Sequence, residues 1–265
     1  MISKSDLRRI DLNLVESLRE FARWNDASAV TDRAGLLFVT GGPASEHQTL
    51  RVDRGIPAAE ALRRMRAFFA EIGGGFTLRT RAEADPDIDA LLAEQGLSPL
   101  RSTPWMRLDH PLEERPLPAG AELRIARAEE DFRAIADINA EAYADLGNLP
   151  QASRERYQVA RRALEPHIHS VVAYVSGEPA ATAMTFLSHG IGGIYWVGTL
   201  GRHRRRGLAE ACTRAVGNWA FEQGAAFVAL HASPMGVPVY RRMGFECVST
   251  HRRYRIPAAE PEPEA

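Results

Sequence analysis

Apolar and polar residues alternate along this chain with two recognisable periods. Leu7, Ile10, Leu14 and Leu18 recur between charges, which predicts an amphipathic helix at the start. Pro57 opens a second helix with Leu62, Met65, Phe68, Phe69 and Ile72 on one face, ended by Gly73, Gly74 and Gly75. A strand at 76–79, a helix carrying Ile88, Leu91 and Leu92, and a strand at 98–108 follow. Further on, 122–128 alternates as a strand, and Phe132, Ile135, Ile138, Ala142 and Tyr143 mark a helix at 129–145. Residues 151–164 read as a more polar helix. Three strands are expected at 170–175, 181–187 and 193–200, separated by turn residues. From 204 to 223 one apolar face (Leu208, Ala211, Cys212, Ala215, Val216, Trp219, Ala220) predicts a long helix stopped by Gly224. A strand at 226–231 and a helix–strand pair ending at Ile256 complete an α/β layer pattern.

The clearest break is the stretch holding Pro111, Pro116 and Pro118 among charges. The expected organisation is a domain at 1–110, a linker at 111–119, a domain at 120–256 and a disordered Pro/Ala/Glu tail at 257–265. Leu92-Ala-Glu-Gln-Gly96-Leu97 matches Tyr240-Arg-Arg-Met-Gly244-Phe245 at a constant offset of 148 residues, and each is followed by a strand. An internal duplication explains this. So does the common use of glycine just past a helix end.

Composition narrows the function classes. A chain of 265 residues, 45% hydrophobic and 25% charged, has the balance of a globular protein. The net charge of −1 lacks the cationic excess of a dedicated nucleic-acid binder. Lys4 is the sole lysine, so the positive charge is nearly all arginine. Cys212 and Cys247 sit in apolar patterns without metal-ligand spacing, and two buried thiols in a reducing compartment are expected, with no metal. No apolar stretch is long enough to cross a bilayer, so neither a membrane nor a nucleic-acid partner is expected, and the location is expected to be cytoplasmic.

The segment Val197-Gly-Thr-Leu-Gly-Arg-His-Arg204-Arg-Arg-Gly207-Leu-Ala209 carries the chemistry. A strand running through a glycine-containing turn into a helix N-terminus makes an anion site, because the first helical N–H groups lack partners and the dipole is positive there. Gly207 and the small Ala209 allow close approach, and the arginines attract a polyanion. Arg204-x-x-Gly207-x-Ala209 resembles the Gln/Arg-x-x-Gly-x-Gly/Ala signature of the GCN5-related N-acetyltransferase (GNAT) superfamily. Tyr240-x-x-x-Gly244-Phe245 resembles that family's later tyrosine and Gly-Phe motif.

This resemblance covers about 120–256. It implies a mixed, mostly antiparallel twisted sheet flanked by helices, present as a tandem of a diverged and an intact copy. It implies acetyl-CoA as co-substrate, with backbone groups of Val197, Gly198 and Thr199 pairing with the pantetheine arm. Backbone N–H groups of Arg205, Arg206, Gly207, Leu208, Ala209 and Glu210, with Arg204 beside them, would cradle the pyrophosphate, and Ser233 would bond the arm. Tyr240 would protonate the leaving thiolate after direct attack by the amine of a small molecule or protein. The family's frequent strand glutamate is missing from 193–200, which leaves His189, Tyr195, Tyr143, His169 or a water chain as the base. In the N-terminal copy the matching turn, Val52-Asp-Arg-Gly-Ile-Pro57, lacks the glycine spacing and Leu92 replaces the tyrosine. Two readings stay open: an acetyltransferase, or a catalytically silent acyl-CoA-binding module.

Overall fold

The computed structural model describes residues 2–41, 47–147 and 149–258. In chain order the elements are α1 (Lys4–Arg23), β1 (Ala29–Arg33), β2 (Leu36–Thr40), β3 (Gln48–Arg51), α2 (Ala58–Glu71), β4 (Phe76–Arg81), α3 (Pro86–Glu94) and β5 (Arg101–Leu108). They continue with β6 (Ala121–Ile125), α4 (Glu129–Ala142), α5 (Pro150–Glu155), β7 (Ile168–Val175), β8 (Glu178–Ser188) and β9 (Ile191–Thr199). The last are α6 (Leu208–Glu222), β10 (Val228–His231), α7 (Val237–Arg242) and β11 (Glu246–Ile256). The fold is mixed α/β, with mostly antiparallel strands flanked by helices.

The chain forms two compact units, one of residues 1–26 and 105–248, the other of 27–104 and 249–265. In the first, the strands lie in the order β5, β10, β9, β8, β7, β6, and only β9 and β10 run parallel. Helix α6 makes the crossover such a parallel pair requires. Its buried Leu208, Cys212, Val216 and Ala220 pack on Ala173, Ala181, Ala183 and Ile194 of the sheet.

Helix α1 covers β8 and β9 on the face that also carries α4. Buried Asn13 explains its seating: its amide donates to Phe186 O (3.1 Å) and Ser188 Oγ (2.8 Å), and the Tyr195 hydroxyl donates to its Oδ1 (2.7 Å). A Cβ on Gly193 would fall 2.0 Å from Asn13 Oδ1, so glycine there admits the helix.

The second unit orders its strands β1, β2, β3, β4, β11, with β3 and β4 the parallel pair and α2 their crossover. Leu62, Met65 and Phe69 of α2 pack on Leu36, Phe38, Phe76 and Leu78.

These units do not follow the division expected at 111–119. Helix α1 joins the first unit because Asn13 and its apolar neighbours are satisfied there. The 249–256 part of β11 joins the second because it pairs with β4. Residues 112–119 are a strap lying along α6. Leu112 N–H donates to Asn218 Oδ1 and Asn218 Nδ2 to Leu112 O, both at 2.8 Å, and Arg206 reaches Ala119 O at 3.4 Å.

Smaller expectations also change. The helix expected at 151–164 ends at Glu155, and a 3-10 turn at Ala160–Ala163 follows; between them the Val159 N–H is taken by Trp24 O at 2.7 Å. Cys247 is exposed, whereas Cys212 is buried, its thiol pushed up to about 12 by desolvation. The tail expected from 257 lies outside the described residues from 259 onward.

Candidate active site

The chain leaves β9 through a 3-10 turn at Gly201–His203 and enters α6 at Gly207. Arg205 (φ +61°) and Gly207 (φ +78°) are both left-handed, which turns the main chain sharply before the helix. That conformation, rather than a close neighbour, explains glycine at 207, since an added Cβ would meet only Pro118 Cγ at 3.6 Å. It also explains why the helix starts at Leu208 and not at Arg204. Among the described residues the N–H groups of 205–210 have no hydrogen-bond partner. Consecutive unpaired donors at a helix N-terminus can receive an anion, so this stretch is a candidate anion cradle. Around it, Arg204 pairs with Asp145 (3.0 Å), Arg206 lies 3.2 Å from His203 Nδ1, and Arg205 is exposed. Leu208 is buried in the core and Ala209 half-buried. Glu210 pairs with Arg214 at 2.8 Å.

Next to the cradle, β9 departs from regular pairing. Thr182 faces Gly198 and Met184 faces Tyr195, so Trp196 and Val197 together oppose Ala183 in a β-bulge. Trp196 takes φ +52°. The bulge sets consecutive residues on one face: Tyr195 and Trp196 both meet Phe21 of α1, at 5.3 and 5.7 Å between ring centres. Strand β10 follows β9 only along 192–194, so among the described residues Val197, Gly198 and Thr199, beyond the bulge, have no strand beside them on that edge. Helix α4 closes on this point: a Cβ on Gly198 would lie 2.7 Å from Asn139 Oδ1. The Val197 carbonyl accepts a bond from the Tyr143 hydroxyl at 3.0 Å, so a ligand pairing there would share that oxygen.

Tyr240 sits on α7 in the core of the first unit, its ring 5.7 Å from Phe245 and its hydroxyl beside Thr213 of α6. Burial pushes its phenol far above the ordinary value, outweighing the Thr213 contact. Gly236 leaves room for that ring, since a Cβ would stand 2.8 Å from Tyr240 Cε2. Ser233 Oγ accepts the Gly236 N–H at 3.1 Å and so shapes the turn into α7 while keeping its own proton to donate.

Of the four residues weighed as bases, Tyr195 flanks the bulge and Tyr143 reaches it from the end of α4. Tyr143, the residue that ends α4, touches Val197 O and packs edge-on against Trp196 at 5.7 Å. His189 lies in the β8–β9 turn, with its carbonyl held by Arg9 at 2.8 Å. Strand residues 191–196 separate it from Val197, roughly 20 Å of extended chain. His169 stacks on Trp219 at 4.6 Å on the α6 side, its pKa lowered by burial and then by Arg127. The Tyr195 hydroxyl is spent on Asn13.

Asn139 was missed from sequence, although it is fully buried beside Gly198 with its Oδ1 unpartnered. Its signal was an amide on the helix face of Ile135, Ile138 and Ala142. Among the described residues no group of three or more His, Cys, Asp or Glu could hold a metal, and no helix is long and apolar enough to cross a membrane.

Residues 132–245 match the acetyltransferase (GNAT) family. That match lies within the first unit, and proteins of that family are acetyltransferases that use acetyl-CoA. Similar solved structures cover both units. A GCN5-related N-acetyltransferase from Kribbella flavida is 23% identical over 95% of this chain and 96% of its own, with a TM-score of 0.72. A GCN5-related N-acetyltransferase from Sphaerobacter thermophilus is 19% identical over 93% and 86%, with a TM-score of 0.64. A tandem GNAT protein from the clavulanic acid biosynthesis pathway is 17% identical over 94% and 88%, with a TM-score of 0.66. At these identities the likeness is one of fold. No curated protein matches the sequence.

Proposed function

We propose that this protein is an acetyl-CoA-dependent N-acetyltransferase whose single cofactor site lies in the first unit. The observation that carries this reading is the run of unpartnered N–H groups at 205–210 beside the bulge and the unpaired edge of 197–199. The donors fit a diphosphate, and the free edge at 197–199 fits an extended amide-bearing arm. Acetyl-CoA supplies a thioester, so the acetyl group can pass directly to an amine without an acyl-enzyme.

The protein's own part is to bind, to hold the thioester carbonyl near the bulge, and to manage two protons. Tyr240 is kept protonated by burial, which suits a donor to the departing sulfur and not a base. Tyr143 stands at the bulge, with its phenolic proton committed to Val197 O. In that position it orients the acceptor side. The amine's proton then leaves through water or arrives already removed.

The second unit supports a diverged copy that does not bind. In its matching turn, Val52 and Asp53 N–H both donate to Gly35 O, Gly55 N–H to Asp53 Oδ1, and Ile56 N–H to Asp53 O. Pro57 has none to offer. Arg81 Nη2 also occupies the Arg51 carbonyl at 2.5 Å.

The test is an acetyl-CoA turnover screen over small amines and amine-bearing peptides, with release of free thiol as the readout. Turnover with an amine supports the enzyme. Tight CoA binding without turnover on any amine supports the silent module.

A further inference from the structure

A carboxylate in the first turn of a helix is a natural partner for that helix's own free N–H groups. Glu210 is such a residue, the third of α6, in a cradle whose leading residue, Gly207, offers no side-chain cap. Left to itself, its carboxylate would compete with any bound diphosphate for the same donors and repel it as well. The structure turns it away. Arg214, one turn further along α6 and 8% exposed, holds Glu210 Oε1 at 2.8 Å. Arg115, exposed on the strap, approaches the same oxygen at 3.5 Å. The strap carrying Arg115 is fixed to α6 by the paired bonds between Leu112 and Asn218.

We infer that Arg214 is a positioning residue that keeps the cradle open by drawing Glu210 aside, with Arg115 assisting from the strap. Glu210 is then a latent internal competitor for the diphosphate. This rests on the reading of 205–210 as a diphosphate site. A buried guanidinium next to a phosphate loop could instead be a purely structural ion pair, and the two roles separate experimentally.

The experiment measures CoA affinity by calorimetry on the full chain, with thermal unfolding alongside. Arg214→Met should weaken CoA by about tenfold, the scale of one charge acting at a helix N-terminus. Adding Glu210→Gln to that variant should restore most of the affinity. Glu210→Gln alone should bind CoA no more weakly than the parent, since it removes a negative charge from beside the diphosphate. Should Arg214→Met fail to fold, Arg115→Glu at an exposed position carries the test. It should weaken CoA several-fold and be rescued by the same Glu210→Gln. An Arg214→Met variant that binds CoA as the parent does would overturn the inference, and so would weakened binding that Glu210→Gln does not rescue. A parent chain that binds no CoA at all would overturn the diphosphate-site reading itself, and the inference with it.

Discussion

The main-chain N–H of Phe245 donates to the carbonyl of Tyr240 at 2.9 Å, closing a helix end in which Gly244 is left-handed (φ +94°) and bonds back to Arg241 O at 3.0 Å. The spacing between the tyrosine and the Gly-Phe pair is therefore set by how the helix stops. It fixes where the Tyr240 ring stands, between Phe245 and the opening at Gly236. Tyr240→Phe keeps that packing and removes only the hydroxyl. Turnover should fall by roughly 10²–10⁴-fold, nearer the lower end where water can deliver the proton. CoA affinity should hold, because the hydroxyl meets charge on sulfur only as the bond breaks. Unchanged turnover with chemistry rate-limiting would remove Tyr240 from the mechanism.

The same helix end recurs in the second unit, where Leu97 N–H meets Leu92 O at 2.9 Å and Gly96 N–H meets Ala93 O at 2.9 Å. The offset of 148 residues thus marks a shared backbone motif. Titration should give one CoA per chain; a second site of similar strength would contradict the diverged copy.

In place of a cradle, that unit has buried charge. Arg51, Arg81 and Asp85 are all almost fully buried, with Arg81 Nε on Asp85 at 2.8 Å and Arg51 Nη2 on Asp87 at 2.6 Å. Asp85→Ala would leave two guanidinium groups without that carboxylate, and a loss of about 3–5 kcal/mol is expected by denaturant unfolding. Asp87 is held below its ordinary value chiefly by its bond to Arg51. Its contribution is therefore full above the ordinary carboxyl value of 3.8 and fades as pH falls through the lowered folded value. Asp87→Asn should flatten that acid limb. An unchanged limb would assign it to other carboxylates.

Much of the first unit was legible in the sequence because its strands and helices bury one clear face. The run at 193–200 and the apolar face of α6 are examples. Strands β1 to β3 were not. β1 is exposed along most of its length and shows no alternation, and β2 is a short continuous apolar run that periodicity cannot assign. The exchange of α1 and β11 between the halves was equally hidden, since it depends on which partners satisfy Asn13 and the edge of β4. In the candidate site, the glycine spacing singled out 205–210, the stretch proposed to take the diphosphate, but the pairing of Glu210 and the distance of His189 from the bulge needed the fold.

Gly207 tests the cradle directly. Valine at φ +78° is strained whatever the space around it, and it would distort the turn that presents the proposed diphosphate donors. Gly207→Val should abolish measurable CoA binding, whereas Gly207→Ala should weaken it by an intermediate amount. Binding by the valine variant at the parent's strength would remove 205–210 as the phosphate site.

The sharpest test of the architecture is to cut the chain where the prolines suggest. A chain beginning at residue 111 keeps the whole GNAT match, 132–245, but loses α1 and β5. Without α1, the Tyr195 hydroxyl and Phe186 carbonyl lose Asn13, and Ile191, Phe227 and Ala229 lose the cover of Ile10 and Leu14. Without β5, the edge of β10 at 228–231 opens to solvent. Each buried polar group left unpaired costs about 1–3 kcal/mol, and each large apolar core residue removed costs about 2–5 kcal/mol. Together these are as large as the roughly 5–15 kcal/mol that holds an ordinary domain. The truncated chain should therefore show no cooperative unfolding transition and bind no CoA. Asn13→Ala in the full chain isolates one part of this, with an expected loss of about 1–3 kcal/mol. A truncated chain that folds cooperatively and binds CoA would show that α1 and β5 are dispensable, and would return the boundary to the proline segment.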